Sequence, residues 1–181
     1  MNAAEYAHKQ GLQLYVPTVQ NDYTMLRWYL LMQESNQFLT VFEPSLAMLS
    51  NFMKFLQFPT NLLFYTQDRD LLYAFWMRPI GQGKALIGFW SDKEFSKTKL
   101  FRLLRASHAY AFTFYTVLFG FTQSEKLLSY VNKLGYNLTD AIPNAWDGIE
   151  PATLMSLTRD AYEKSGLKPQ GYATRTPKGG D

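Results

Sequence analysis

The sequence predicts a single α/β domain built on a mixed, mostly antiparallel sheet flanked by helices. Two observations predict it. The apolar residues recur at helical spacing up to Pro59, switch to three consecutive strand-like runs, and then alternate as helix, strand and helix. The composition also supplies a core large enough for such layers. Of 181 residues, 47% are hydrophobic and 17% aromatic, against 18% charged, which excludes a disordered chain and fits one domain.

The elements follow in order. A first strand is expected over Leu12 to Val19 (LQLYVPTV), with Pro17 placing it at a sheet edge or a bulge. Asn21 and Asp22 are capping residues for a helix through Tyr23, Leu26, Tyr29, Leu30 and Gln33. Pro44, a favoured first-turn residue, opens a second helix in which Leu46, Leu49, Met53 and Leu56 recur until Pro59 stops it. LLFYT (Leu62 to Thr66) and LLYAFWM (Leu71 to Met77) are aromatic-rich strands joined by a hairpin loop of Gln67, Asp68, Arg69 and Asp70. PIGQG (Pro79 to Gly83) is a turn. ALIGFW (Ala85 to Trp90) is apolar throughout, so it reads as a central strand buried on both faces. A long helix from Glu94 to Phe114 has Phe95, Leu100, Leu103, Leu104, Ser107, Ala111 and Phe114 as its inward stripe. VLFGFT (Val117 to Thr122) is another buried strand. Ser124 and Glu125 open a helix carrying Leu127, Leu128 and Val131, and Gly135 caps its end. Asn137 to Asp140 leads into a loop, IPNAWDGIEP, and Thr153 to Ala161 forms a last strand or helix. The domain thus spans 1–165. The remainder, 166–181 (GLKPQGYATRTPKGGD), has the composition of a flexible tail, with Leu167 and Tyr172 as its only large anchors.

Several classes of function are excluded. Without cysteine there are no disulfides, thiolate zinc sites or cysteine nucleophiles, which fits a reducing compartment. The N-terminal MNAAEYAHKQG lacks the apolar run of a signal peptide. The longest uncharged apolar stretch, Ala109 to Phe121, is shorter than the about 20 residues of a membrane span. His8 and His108 have no metal-ligand spacing, so no metal is expected and His108 reads as structural. The net charge of +3 is too small to argue for nucleic acid by itself. The basic cluster Lys93, Lys97, Lys99, Arg102 and Arg105 is either a solvated helix face or a contact for phosphates of coenzyme A or nucleic acid. Asp68, Asp70, Asp92 and Glu94 lie near strand ends, as turn residues or as a general base.

The stretch from Val117 to Asn144, VLFGFTQSEKLLSYVNKLGYNLTDAIPN, carries a Leu-Gly-aromatic turn at Leu134, Gly135 and Tyr136 and a later Ile142-Pro143-Asn144. With the order of elements, it resembles the GNAT acyltransferase superfamily. The resemblance implies that strand 85–90 lies parallel to strand 117–122 and splays from it. It implies acetyl-coenzyme A as cofactor, backbone N–H groups near Phe89 and Trp90 polarising the thioester carbonyl, and a tyrosine on the following helix protonating the leaving thiolate. The family's pyrophosphate turn is rich in glycine, because backbone must approach the phosphates closely. Here the corresponding Ser91 to Lys99 contains no glycine and carries Asp92 and Glu94, with Lys93, Lys97 and Lys99 as partial compensation. Ser124 stands at the family's asparagine. Val131 stands at its tyrosine, and Tyr130 is one residue off, about 100° around a helix. Such departures, with the basic segment KTKLFRLLR (Lys97 to Arg105), resemble a divergent GNAT-like group of bacteriophages that includes internal virion proteins.

Two functions are therefore expected as alternatives. One is a non-catalytic GNAT-like protein, with no cofactor, acting through other protein chains in a virion or assembly and located in a host cytoplasm or virion. The other is an acetyl-coenzyme-A-dependent N-acetyltransferase with a divergent cofactor grip and Tyr130 as acid.

Overall fold

The computed structural model describes residues 2–68, 70–92, 96–145, 150–165 and 167–168. Its centre is a seven-stranded sheet. The strands are β1 (Gln13–Leu14), β2 (Leu62–Asp68), β3 (Asp70–Gly81), β4 (Lys84–Ser91), β5 (Val117–Thr122), β6 (Asn137–Ile142) and β7 (Ala152–Thr158), in the spatial order β1-β2-β3-β4-β5-β7-β6. Every neighbouring pair is antiparallel except β4 and β5, which run parallel. The helices are α1 (Ala3–Lys9), α2 (Val19–Glu34), α3 (Leu49–Gln57), α4 (Lys97–Phe114), α5 (Glu125–Lys133) and α6 (Arg159–Lys164). This is the expected class, with β4 beside β5 as the resemblance implies.

The central strands read as unbroken apolar runs because both of their faces are covered. Along β3 the side chains alternate. Tyr73, Phe75 and Met77 enter a core shared with Leu103, Leu104 and Phe112 of α4. Ala74 and Trp76 enter a second core on the other face, with Met25 and Trp28 of α2 and Phe52 of α3. The second core holds much of the aromatic content. Trp28 meets Phe42 and Phe52 edge-on at 5.7 Å each, and Phe42 stacks on Trp76 at 5.7 Å.

Several boundaries differ from expectation, each for a local reason. The first strand pairs over only two residues. Its place is taken by Tyr15 N–H bonding the Leu63 carbonyl at 2.8 Å and by Thr18, whose hydroxyl caps α2 at 3.2 Å, ahead of Asn21 and Asp22. Those two side chains tie α2 to the sheet edge instead: Tyr65 donates to Asn21 at 2.9 Å, and Tyr15 donates to Asp22. Pro44 opens a short 3-10 turn, Pro44–Leu46, rather than the helix. In α3 the buried residues are Phe52, Phe55 and Leu56, while Leu49 is exposed. Phe114 of α4 also faces solvent, and Ala106, His108 and Phe112 are buried in its stead. Phe95 and Glu94 lie outside the described residues.

The N-terminal α1 was not expected. It is closed by a capping box in which Asn2 accepts from Glu5 N–H at 2.9 Å and Glu5 accepts from Asn2 N–H at 3.0 Å. Asn137 to Asp140, expected to lead into a loop, belongs to β6. The strand-or-helix alternative at 153–161 resolves into both, since Thr158 ends β7 and caps α6 by accepting from Ala161 N–H at 3.2 Å. Leu167 is fully buried in the α4-side core, so the fold extends beyond the composition boundary at 165. Residues 169–181 of the expected tail lie outside the described residues.

Candidate functional site

The site begins where two strands part. β4 pairs with β5 only over Lys84–Leu86 and Val117–Phe119. From Ile87 to Ser91, β4 stays paired with β3, while β5 stays paired with β7 out to Thr122. The sheet is split into halves that diverge beyond Leu86. Successive backbone groups of a strand point alternately to its two neighbours. Every second N–H and C=O of β4 beyond Leu86 therefore faces the opening rather than a partner strand.

A cavity of about 210 Å³ occupies this opening and reaches both layers of the domain. On the α4 side its walls include Ile87 and Phe89 of β4, Thr122 of β5, and Leu127, Tyr130 and Val131 of α5. On the other side they include Phe42, Glu43, Leu46, Trp76 and Arg78.

Tyr130 is thus in the cleft although it is one residue from the family position. Leu127, Tyr130 and Val131 of α5 and Leu134 at its C-terminal cap all line the cavity, so its wall is wide enough to take both neighbours. Tyr130 is half-buried, and desolvation raises its hydroxyl above the ordinary tyrosine value of 10.0. It keeps its proton at neutral pH, where it can serve as an acid. Ser124 accepts from Leu127 N–H at 3.2 Å and fixes the start of α5.

The other expected cofactor residues separate. Phe89 lines the cavity. The Trp90 side chain turns to the opposite face, where its indole N–H donates to Gln37 at 2.6 Å and its ring packs 6.1 Å from Trp28. Only the backbone of Trp90 can serve the cleft. Lys97 is exposed and Lys99 half-buried in the first turn of α4, and neither side chain lines the cavity. Helix starts leave their first N–H groups without intrahelical partners, and the Ser96 side chain does not cap this one. Lys93 lies outside the described residues. Further along α4, Arg102 is exposed and Arg105 lies over the Phe101 ring at 4.6 Å.

His108 and Tyr136 form part of the cavity wall nearest the core. His108 Nδ1 lies 2.7 Å from the Leu104 carbonyl, which requires Nδ1–H to donate. Nε2 is then an acceptor for the Tyr136 hydroxyl. Burial pushes the imidazole down to about 4, so it is neutral, and burial raises Tyr136 well above its usual range. Beside them Tyr73 and Ser107 share a hydrogen bond of 3.0 Å. These polar groups satisfy one another, as a structural role for His108 requires. Among the described residues no group of three or more His, Cys, Asp or Glu is placed to hold a metal ion, and no helix is long and apolar enough to cross a membrane.

Sequence reasoning missed Glu43, Trp76 and Arg78. Trp76 and Arg78 alternate onto one face of β3, a period-two signal that was readable. Glu43 meets Arg78 only through the fold.

No family model matches the sequence, and no curated protein is similar to it by sequence. Solved structures are similar in fold. RimJ of Mycobacterium smegmatis, in complex with CoA-disulfide, superposes with a TM-score of 0.64 at 10% identity, covering 86% of each chain. The aminoglycoside N(6′)-acetyltransferase of Legionella pneumophila superposes with a TM-score of 0.65 at 11% identity, covering 85% of this chain and 95% of that one. FeeM, an N-acyl amino acid synthase from uncultured soil microbes, superposes with a TM-score of 0.62 at 14% identity, covering 85% and 93%. The domain therefore has a GNAT-like fold, the architecture of these acyltransferases.

Proposed function

We propose that the protein is an acyltransferase that moves an acyl group from a coenzyme A thioester to a primary amine in the cleft between β4 and β5. The observation that carries this reading is the divergence of the two strands beyond Leu86, which leaves that edge of β4 without a partner strand beside a cavity that Tyr130 also lines. Fold similarity to enzymes of this chemistry supports it but does not decide it.

The residues present fit the thioester. The outward N–H groups of β4 suit an amide-rich arm and the carbonyl oxygen. The first turn of α4, where the Ser96 side chain makes no cap bond, suits a pyrophosphate with Lys97 and Lys99 nearby in sequence. The thioester supplies an activated carbonyl carbon and a thiolate leaving group. N–H donors of β4 stabilise the negative charge that develops on the carbonyl oxygen. The amine forms a C–N bond as the C–S bond breaks, and its proton leaves to water. Tyr130 donates its phenolic proton to the departing sulfur. Because Ser91 to Lys99 lacks glycine and Asp92 opposes an anion, the grip is weak, with a Kd of tens of micromolar, about −6 kcal/mol.

Thiol release from acetyl-coenzyme A in the presence of amine acceptors tests the reading. Tyr130→Phe should lower turnover by about a hundredfold or more with little change in cofactor affinity. Unchanged turnover would remove Tyr130 from the chemistry. A second reading is favoured by the glycine-free segment: a non-catalytic component of an assembly, including the virion role implied by the phage resemblance. It predicts no thiol release above background with any amine.

A further inference from the structure

We propose that the arm of the cavity between β3 and the α2–α3 connection is an acceptor site for a small apolar amine that also carries a carboxylate, an apolar α-amino acid being the simplest example. The proposal rests on the acyl-transfer reading of the same cleft and names its second substrate.

Trp76 is the starting point. It is 7% exposed, it lines the cavity, and its indole Nε1 is buried without a hydrogen-bond partner among the described residues. The sequence puts the ring there deliberately. Gly88 is its cross-strand neighbour on β4, and a Cβ at Gly88 would stand 2.4 Å from the indole ring and 2.5 Å from Nε1. The missing side chain lets the indole lie across β4 just past the last residue paired with β5. Phe42 stacks on the ring with planes 20° apart, and Phe55 meets it edge-on at 5.5 Å. A clamped ring cannot turn its N–H to solvent. A buried donor left unpaired is costly, and a ligand oxygen at this point would recover that cost.

Arg78 follows two residues along the same face of β3, about 7 Å away. Its guanidinium donates to Glu43 at 3.2 Å, with the two side chains 37% and 46% exposed. An ion pair this open contributes little on its own and exchanges readily with outside charges. A zwitterion matches it without changing the charge balance. The ligand carboxylate takes Arg78 and the Trp76 N–H, and the ligand ammonium takes Glu43 before losing its proton. The surrounding wall of Phe42, Leu46 and Phe55 suits an apolar side chain.

The same features exclude other acceptors. A polyamine needs several carboxylates, and among the described residues that line the cavity Glu43 is the one carboxylate. The cavity, at about 210 Å³, is smaller than the roughly 300–1,000 Å³ of sites for drug-sized ligands, which favours a small acceptor.

Calorimetry on the whole chain tests this with L-phenylalanine, L-phenylalaninamide and an aminoglycoside, alongside acetyl-coenzyme A as a separate titrant. Phenylalanine should bind, and removing its carboxylate charge in the amide should weaken binding about tenfold. Arg78→Gln, at a half-exposed position, and Trp76→Phe, which keeps a ring between Phe42 and Phe55, should each weaken phenylalanine by about tenfold and leave acetyl-coenzyme A affinity unchanged. Equal affinity for phenylalanine and its amide, or tighter binding of the aminoglycoside, would overturn the proposal. So would absence of phenylalanine binding at about 10 mM while acetyl-coenzyme A still binds. Phenylalanine binding without acetyl-coenzyme A binding would keep the amino-acid site and remove the acyl-transfer reading beneath it.

Discussion

At the scale of single residues, His108 shows how burial turns a titratable group into a structural one. It is held neutral between the Leu104 carbonyl and Tyr136, with its folded value near 4 against an ordinary 6.5. As pH falls through this range, the unfolded chain binds the proton first. The contribution of His108 is therefore complete above about pH 6.5 and is lost progressively down to about pH 4, by at most about 3 kcal/mol. Urea denaturation at pH 7 and pH 5 should show a fall in stability that flattens in His108→Gln, while an equal fall in the variant would assign the titration elsewhere. Tyr130 behaves oppositely. Desolvation raises its value, so an acid role predicts that the alkaline limb of the turnover profile lies above pH 10.0, and that this limb moves or disappears in Tyr130→Phe. Gly88→Ala places a methyl group against the clamped indole of Trp76 and should cost about 1–3 kcal/mol in thermal or chemical denaturation. Tyr130, Phe89 and the alternation of Trp76 with Arg78 can all be read from the chain. The contact between Glu43 and Arg78, far apart in sequence, cannot, because nothing local records which loop folds over β3.

At the scale of elements, legibility follows how much of each signal is local. The strands β2 to β5 are apolar or aromatic runs whose order and type can be read from the chain, although β5 buries only the Leu118, Gly120 and Thr122 face and leaves Val117, Phe119 and Phe121 half-buried. The apolar run around β1 is longer than the strand because Leu12 and Tyr15 are buried by packing, while the ladder covers only Gln13 and Leu14. The seven residues of α1 give little periodicity, and the Asn2 and Glu5 capping pair is its one local signal. The 3-10 turn at Pro44 and the helix at Leu49 read as one helix in sequence because both place apolar residues at similar spacing. Composition alone places Leu167 in a tail, yet it is buried in the α4-side core, which also holds Tyr162. Leu167→Ala should therefore destabilise the isolated domain by about 2–5 kcal/mol. A midpoint unchanged from wild type would return that residue to the tail.

At the scale of the whole molecule, the two cores give the sheet different faces and different tasks. The α2–α3 side is aromatic and supplies Trp76, Arg78 and Glu43. The α4–α5 side supplies Tyr130 and the neutral His108–Tyr136 pair. The strands that separate beyond Leu86 let one cavity touch both. Such a gap would be costly in a purely structural sheet, since it leaves main-chain groups without partners. A ligand rich in amide and carbonyl groups is the natural complement. The most direct test is a calorimetric titration of the whole chain with acetyl-coenzyme A. The account predicts saturable binding of one equivalent with a Kd of tens of micromolar, about −6 kcal/mol. No heat of binding up to about millimolar ligand, roughly −4 kcal/mol or weaker, would contradict it.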